Sequence, residues 1–386
     1  MNFNILKSEN KFFDNPIGTS GLSKPEFDSF INYSRHLYSY NKSYGEEYII
    51  ELLENKLSEF HETKYCISMC SGFWAIALTI DSLKIRNRSD IILPSLTYRR
   101  LADLVSWCNL KPRFCEVDKI SLSINPSSLD KLIDDNTSLI LGVHPIINTC
   151  DTKSLKKIAD INKIPLIMDS VESVFEKTFD GRVGSQAKAE VFSLHASKLI
   201  NGGEGGYITT SDKSLYDHLV SLRNYGFLKN GMGYNTDGMN AKINVIHACM
   251  ALANLENLDK FIKHNKKIYE VYKKRLKDIK GISLLEFEEG TRPSYKNVVV
   301  EINNYWPLTR DETIILFNKN NILARKYYSP PLHKKEMNYP YNPANLPITE
   351  SLSKKFILMP SGFQIRENDI HRLCDFLILI SKNKIK

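Results

Sequence analysis

Along the first two thirds of the chain, short apolar runs alternate with helix-spaced stretches. Between residues 45 and 61, apolar side chains recur at Tyr48, Ile49, Leu52, Leu53, Leu57 and Phe60, the spacing of one buried helix face. The pattern then switches to short runs at 65–69, 90–93, 113–117, 138–143, 165–168, 190–194 and 206–209, separated by helical patterns at 74–83, 101–108 and 152–162. Seven strands interleaved with helices predict a layered α/β domain with a largely parallel sheet, whose ligands bind at the carboxyl ends of the strands. Residues 245–279 read as one long helix linking two domains. Beyond it, strands at 282–286 and 297–302, helices at 310–318 and 367–380 and a proline-rich ordered loop at 329–347 predict a smaller α+β domain. The expected division is an N-terminal arm and large domain over 1–245, the linking helix over 246–280 and a small domain over 281–386.

Composition narrows the class. The chain has 386 residues, enough for a large and a small domain with a sizeable core. The longest apolar run, 376–380, falls far short of the roughly 18 residues of a membrane span. Residues 1–11 lack the apolar stretch and cleavage site of a secretory signal, so a cytoplasmic chain is expected. Seven cysteines, an odd number without paired zinc-type spacing, predict reduced and mostly buried thiols and no metal site. The net charge of +8 is spread along the chain, with modest lysine clusters at 263–280 and 382–386, so it does not point to nucleic acid.

The chemistry concentrates in IPLIMDSVES and VFSLHASKLINGGEGG. Asp169 ends a buried strand and Lys198 lies four residues past the next one. A carboxylate that keeps a pyridine nitrogen protonated, with an amine that forms a Schiff base, is what a pyridine-aldehyde cofactor requires. Taken alone, the same pair also fits a helix cap and a solvated loop lysine. Gly202, Gly203, Gly205 and Gly206 follow the lysine, where the backbone must turn tightly or approach something closely. Upstream, Cys70-Ser71-Gly72 joins a strand to a helix and aims backbone N–H groups at any anion bound there.

Taken in order, these segments resemble the DegT/StrS-type sugar aminotransferases, pyridoxal 5′-phosphate enzymes of the fold-type-I aminotransferase scaffold. SGFWAI is similar to the family's phosphate cup, LPSLTY to its Pro-Ser-x-Thr-aromatic segment, MDSVES to its Glu-Asp-Ala-Ala-His/Gln and FSLHASK to its Phe-Ser-Phe-x-x-x-Lys. GGEGG is identical to the family's, and DGMNAKI and Tyr328 with PPLH resemble later motifs. The resemblance implies that Lys198 is the Schiff-base lysine, Asp169 the partner of the pyridine nitrogen and Tyr98 the residue stacked on the ring. Ser193, Gly72, Phe73 and Trp74 would hold the phosphate, with Asn240 reaching the partner's site in a homodimer that shares its active sites. Arg99, Arg100, Lys242, Tyr328 and His333 are the substrate candidates.

The departures are specific. Phe73 replaces a threonine of the cup, Lys242 replaces an arginine, and Glu172 stands where the family has His or Gln near the cofactor's phenolic oxygen. An anion there would be repelled unless it is protonated or turned toward a cation. In HPIINTCD, His144 and Asn148 are expected to shape the turn at the strand's end. The implied activity moves an amino group from an amino acid, glutamate being the expected donor, to a nucleotide-linked 3- or 4-keto-6-deoxy sugar. The alternatives are a non-nucleotide ketone such as a cyclitol or natural-product intermediate, and a non-catalytic cofactor-binding regulator. Sugar dehydration is disfavoured by Lys198, since relatives with that chemistry carry histidine in its place.

Overall fold

In the computed structural model, the described residues are 11–19, 24–38, 45–178, 180–228, 233, 237–288 and 293–382. Residues 1–10 and the lysines beyond 382, read above for a signal and for charge, lie outside them. Seven strands form the large sheet: β1 (Tyr65–Met69), β2 (Asp90–Pro94), β3 (Lys111–Cys115), β4 (Thr137–Val143), β5 (Leu166–Asp169), β6 (Ala189–Ser193) and β7 (Gly206–Thr210). Their order is β1-β7-β6-β5-β4-β2-β3, with β7 antiparallel to both neighbours and the rest parallel.

Side-chain alternation explains the layers. Ile67, Ile91, Leu93, Leu139, Leu141, Ile167, Val191 and Ile208 point to one face. There they meet α2 (Gly72–Leu83), α3 (Leu101–Trp107) and α5 (Lys213–Arg223). The intervening Ile92, Ile140, Leu166 and Met168 face α4 (Thr152–Asn162). Phe192 and Tyr207 on the same side face α1 (Gly45–Phe60). Buried on both faces, the central strands read as nearly continuous apolar runs, as parallel strands do.

The expected long linking helix is two helices, α6 (Val245–Glu256) and α7 (Leu258–Leu276), broken at Asn257, whose backbone sits at φ −96°, ψ 7°. The reason lies in their partners. α6 buries small and aliphatic residues, Ala248, Cys249, Ala251 and Leu252, against the large domain, whereas Ile268, Tyr269, Tyr272 and Leu276 of α7 enter the core of the small one. One straight axis would not serve both faces. The Asn257 side chain donates to the Ala253 carbonyl (2.8 Å) and occupies the backbone acceptor freed at the break.

The small domain carries an antiparallel sheet of β8 (Ile282–Leu284), β9 (Val298–Ile302), β10 (Arg325–Lys326) and β11 (Phe356–Met359), in the order β8-β9-β11-β10. Against it pack α8 (Arg310–Lys319) and α9 (Glu367–Lys382). The N-terminal arm corrects the expected division of the chain. Phe13 and Ile17 are buried in the small domain's core, the Phe12 ring lies 4.7 Å from that of Phe376, and Ile17–Gly18 pairs in parallel with Ile322–Leu323. Residues 11–18 therefore belong with the C-terminal domain, because their aromatic pair finds its apolar surface there. All seven cysteines are free, and all but Cys70 are buried. Among the described residues no helix is long and apolar enough to cross a membrane, and no three His, Cys, Asp or Glu side chains converge as metal ligands.

Candidate active site

The carboxyl ends of the parallel strands open into a cavity of about 390 Å³. Its first wall is made at the β1–α2 junction. Ser71, in extended backbone, caps α2 by accepting the Trp74 N–H (3.2 Å), which leaves the amides of Gly72 and Phe73 in the first turn without intrahelical acceptors. The junction is tight. A Cβ on Gly206 would lie 2.4 Å from the Gly72 nitrogen, and one on Gly72 would lie 3.0 Å from Ser193 Cβ. Only glycines let β7 and β6 pass this close to the helix start.

The floor is Asp169, the last residue of β5, 3% exposed. Its carboxylate accepts one hydrogen bond, from the Val171 N–H (3.2 Å). Burial pushes its pKa up to about 6, against the pull of that bond and of Lys198. Its own carbonyl accepts the His144 N–H (3.0 Å), which ties β5 to the turn after β4. In that turn His144 Nδ1 accepts the Cys150 N–H (3.0 Å), and burial lowers the imidazole's pKa to about 3. Asn148, at φ 64°, accepts the Glu288 N–H (2.9 Å) and joins the turn to the small domain.

Lys198 sits in a loop that folds back on itself. The Ala196 N–H donates to the Gly203 carbonyl (2.8 Å), and the Gly202 N–H to that of Leu194 (2.8 Å). Gly203 and Gly205 supply the positive φ values, 85° and 137°, that this return needs. The Lys198 amine donates to Glu172 Oε1. The other carboxylate oxygen, Oε2, accepts Lys296 Nζ (3.1 Å) and Asn297 Nδ2 (3.2 Å) from the small domain. The two lysines hold the Glu172 pKa well below the usual carboxylate range despite burial. Glu172 is thus an anion turned toward cations, one of the two conditions its place in the sequence set.

Gly72, Phe73, Tyr98, Arg100, Asp169, Glu172, Ser193, Lys198 and Tyr328 all line this one cavity. Five other sequence candidates do not. Trp74 spends its amide on Ser71 and turns its ring to Trp107, 4.9 Å away edge-on. Arg99 extends into solvent, its carbonyl accepting the Lys335 amine. Asn240 and Lys242 are exposed on the segment before α6, with Lys242 Nζ 5.8 Å above the Tyr225 ring. His333 is buried, bonded to Ser95 Oγ (2.6 Å) and 3.3 Å from Glu350, and so ties its loop to the end of β2 instead of facing a substrate.

Lys296, Asn297, His195 and Glu204 were not singled out by sequence. His195 and Glu204 line the cavity, with Nε2 and Oε1 3.8 Å apart, and both lie inside motifs that were read only for their lysine and glycines. Lys296 carries no motif signal, since only the folding of β9 against β11 brings it to Glu172.

Comparison with known proteins gives the same direction. Residues 40–378 match the DegT/DnrJ/EryC1/StrS aminotransferase family. The dTDP-4-amino-4,6-dideoxy-D-glucose transaminase of Shigella dysenteriae is 28% identical over 319 residues, covering 82% of this chain and 86% of its own. The GDP-perosamine synthase of Vibrio cholerae is 24% identical, covering 84% and 89%. The crystal structure of DesI in the presence of its TDP-sugar product superposes with a TM-score of 0.88 at 26% identity, covering 97% of this chain and 95% of that one. With nearly its whole length matched, this chain belongs to the DegT/DnrJ/EryC1/StrS aminotransferase family.

Proposed function

We propose that this aminotransferase moves an amino group from an amino acid, glutamate in the first instance, to a nucleotide-linked 3- or 4-keto-6-deoxy sugar. The family is pyridoxal-phosphate dependent, and the residues present fit that group. The cup offers two unengaged helix-start amides beside Ser193, where a phosphate would be held. Asp169, buried with a single N–H donor, is a carboxylate short of a cation, and a protonated ring nitrogen would supply one. Phe73 offers only its backbone to the phosphate, so the cup rests on amides and on Ser193. Once bound, the group supplies an aldehyde that captures amines and a ring that takes up the electron pair left when a proton departs.

The chain's own residues do the rest. Lys198 is the amine that joins the aldehyde and, when released, holds and moves the proton at Nζ. Glu172 orients that amine by its hydrogen bond. Tyr98 and Tyr328 wall the cavity, and Arg100, at its mouth with Nε 3.2 Å from Asp103, is placed to meet a substrate anion. The observation that carries this reading is the convergence of Lys198, Asp169, Ser193 and the α2 start in one cavity.

The relatives' names, a dTDP-4-amino-4,6-dideoxy-D-glucose transaminase and a GDP-perosamine synthase, support a nucleotide-linked sugar as the acceptor class. We extend the reading to a cytoplasmic homodimer, with exposed Asn240 reaching across to the partner's phosphate site. The test is to incubate holoenzyme and glutamate with dTDP- and GDP-linked 4-keto-6-deoxyhexoses and follow amino sugar and 2-oxoglutarate together by mass spectrometry. Formation of both in equal amounts is expected. Amination of a free cyclitol ketone but of neither nucleotide sugar would overturn the acceptor assignment.

A further inference from the structure

The small domain brings to Glu172, in the cavity wall, a charge that no motif accounts for. Lys296 is almost wholly enclosed, its side chain 12% exposed, and its backbone is fixed by the Ser361 hydroxyl donating to its carbonyl (2.7 Å). Its amine reaches Glu172 Oε2 at 3.1 Å, with Asn297 Nδ2 beside it at 3.2 Å. Glu172 therefore stands between two lysines, Lys198 on Oε1 from its own domain and Lys296 on Oε2 from the other. These two do not have the same fate. When the Lys198 amine is consumed in a covalent link to the cofactor, its charge depends on whether the link is protonated, whereas Lys296 keeps its place.

On the reading of Lys198 given above, we propose that Lys296 is a positioning residue that acts through Glu172: it neutralises the carboxylate from the small domain, so that the link at Lys198 faces a charge-balanced ion pair instead of a bare anion. Left uncovered, Glu172 would hold a proton on the link well above neutral pH. Left without Glu172, Lys296 would drive that proton off. Balanced, they leave the link free to gain and lose its proton near working pH. The other charged and titratable groups facing the pair are Asp169 on the cavity floor, Glu176 in the same loop, Tyr327 and Tyr328 after β10, and Arg325 in β10 itself. Of these, Asp169 is committed to the ring end of the cavity. Burial and the nearby acids raise the pKa of Glu176 and of both phenols, and the phenols stay uncharged near neutral pH. Arg325 is exposed, so solvent screens it. The balance at Glu172 is thus set by the two lysines.

The test is a spectroscopic pH titration of the protein loaded with pyridoxal phosphate, reading the visible absorbance of the protonated link and not turnover. Lys296→Met is expected to raise the link's pKa by about one unit or more, and Glu172→Gln to lower it by about as much. The double variant should return to within about half a unit of wild type, and Lys296→Arg should stay there as well. A residue that merely packs the domain seam would not give opposite shifts that cancel. Shifts of the same sign, a double variant that keeps either single shift, or no shift in Lys296→Met would overturn the proposal. If Lys296→Met fails to take up cofactor, Lys296→Gln, which keeps a donor without the charge, gives the same reading. Absence of any borohydride-reducible link at Lys198 in the wild type would instead bring down the site reading, and this proposal with it.

Discussion

The floor of the cavity and the seam between the domains each hold a buried carboxylate, and they hold it in opposite ways. Among the described residues, Asp169 has one backbone N–H and no cation within bonding reach, and burial raises its pKa to about 6. Glu172, three residues on, has two lysine amines and a carboxamide, and its pKa falls well below the ordinary value. Asp169 is buried and the Glu172 side chain is only 12% exposed, so for both the partners decide the charge. A buried carboxylate left short of a cation is pushed toward its protonated form, whereas one already paired stays charged and places its partners.

The largest break in this contrast comes from Asp169→Asn. Cofactor should still bind covalently, but turnover of the amino donor should fall by several powers of ten, because a neutral side chain leaves the ring nitrogen without its counter-ion. Single-turnover kinetics with glutamate check this, and activity within about tenfold of wild type would make Asp169 a structural residue only.

Next in size is Gly206→Ala, which acts on the cup and leaves the carboxylates alone. Its Cβ meets backbone at the Gly72 nitrogen, which cannot swing away as a side chain would. A loss of about 1–3 kcal/mol in unfolding free energy is expected, with weaker cofactor retention. Gly72→Ala, whose new Cβ meets Ser193 Cβ at 3.0 Å, should cost less. Denaturant midpoints and equilibrium dialysis rank the pair.

A last test sharpens the contrast itself, through the pH dependence of stability in cofactor-free protein. A raised folded pKa at Asp169 means the folded state binds its proton more tightly than the unfolded chain. That contribution weakens the fold as pH climbs from about 4 to about 6, by on the order of 2–3 kcal/mol in total. Asp169→Asn should flatten this fall. Glu172 has the opposite sign, since its depressed pKa stabilises the fold above about 4.5 and the benefit is lost as pH drops below that. Glu172→Gln should therefore remove part of the acid-side loss. Urea unfolding from about pH 2 to pH 7 separates the two, the Glu172 effect below about 4.5 and the Asp169 effect above about 4, and slopes of the same sign would refute the contrast.

Much of this was readable in the chain. The seven strands of the large sheet announce themselves because strands buried on both faces are nearly continuous apolar runs, and the cavity's wall, floor and lysine lie in contiguous motifs at strand ends. What escaped is what long-range packing decides. The break at Asn257 depends on α6 and α7 serving different domains, while local periodicity runs on across it. Phe13 and Ile17 join the small domain although some 270 residues separate them from β8. His333 sits in a motif, yet the fold turns it to Ser95 and Glu350. Lys296 is one of many lysines, and only its approach to Glu172 sets it apart.

The most direct test of the whole account is where the cofactor attaches. Wild-type protein loaded with pyridoxal phosphate, reduced with borohydride and digested should carry the reduced cofactor on the peptide containing Lys198. Lys198→Ala should show neither the visible band nor any labelled peptide. Label on Lys296, the other amine within reach of Glu172, or on any lysine outside the cavity would contradict the assignment of the site.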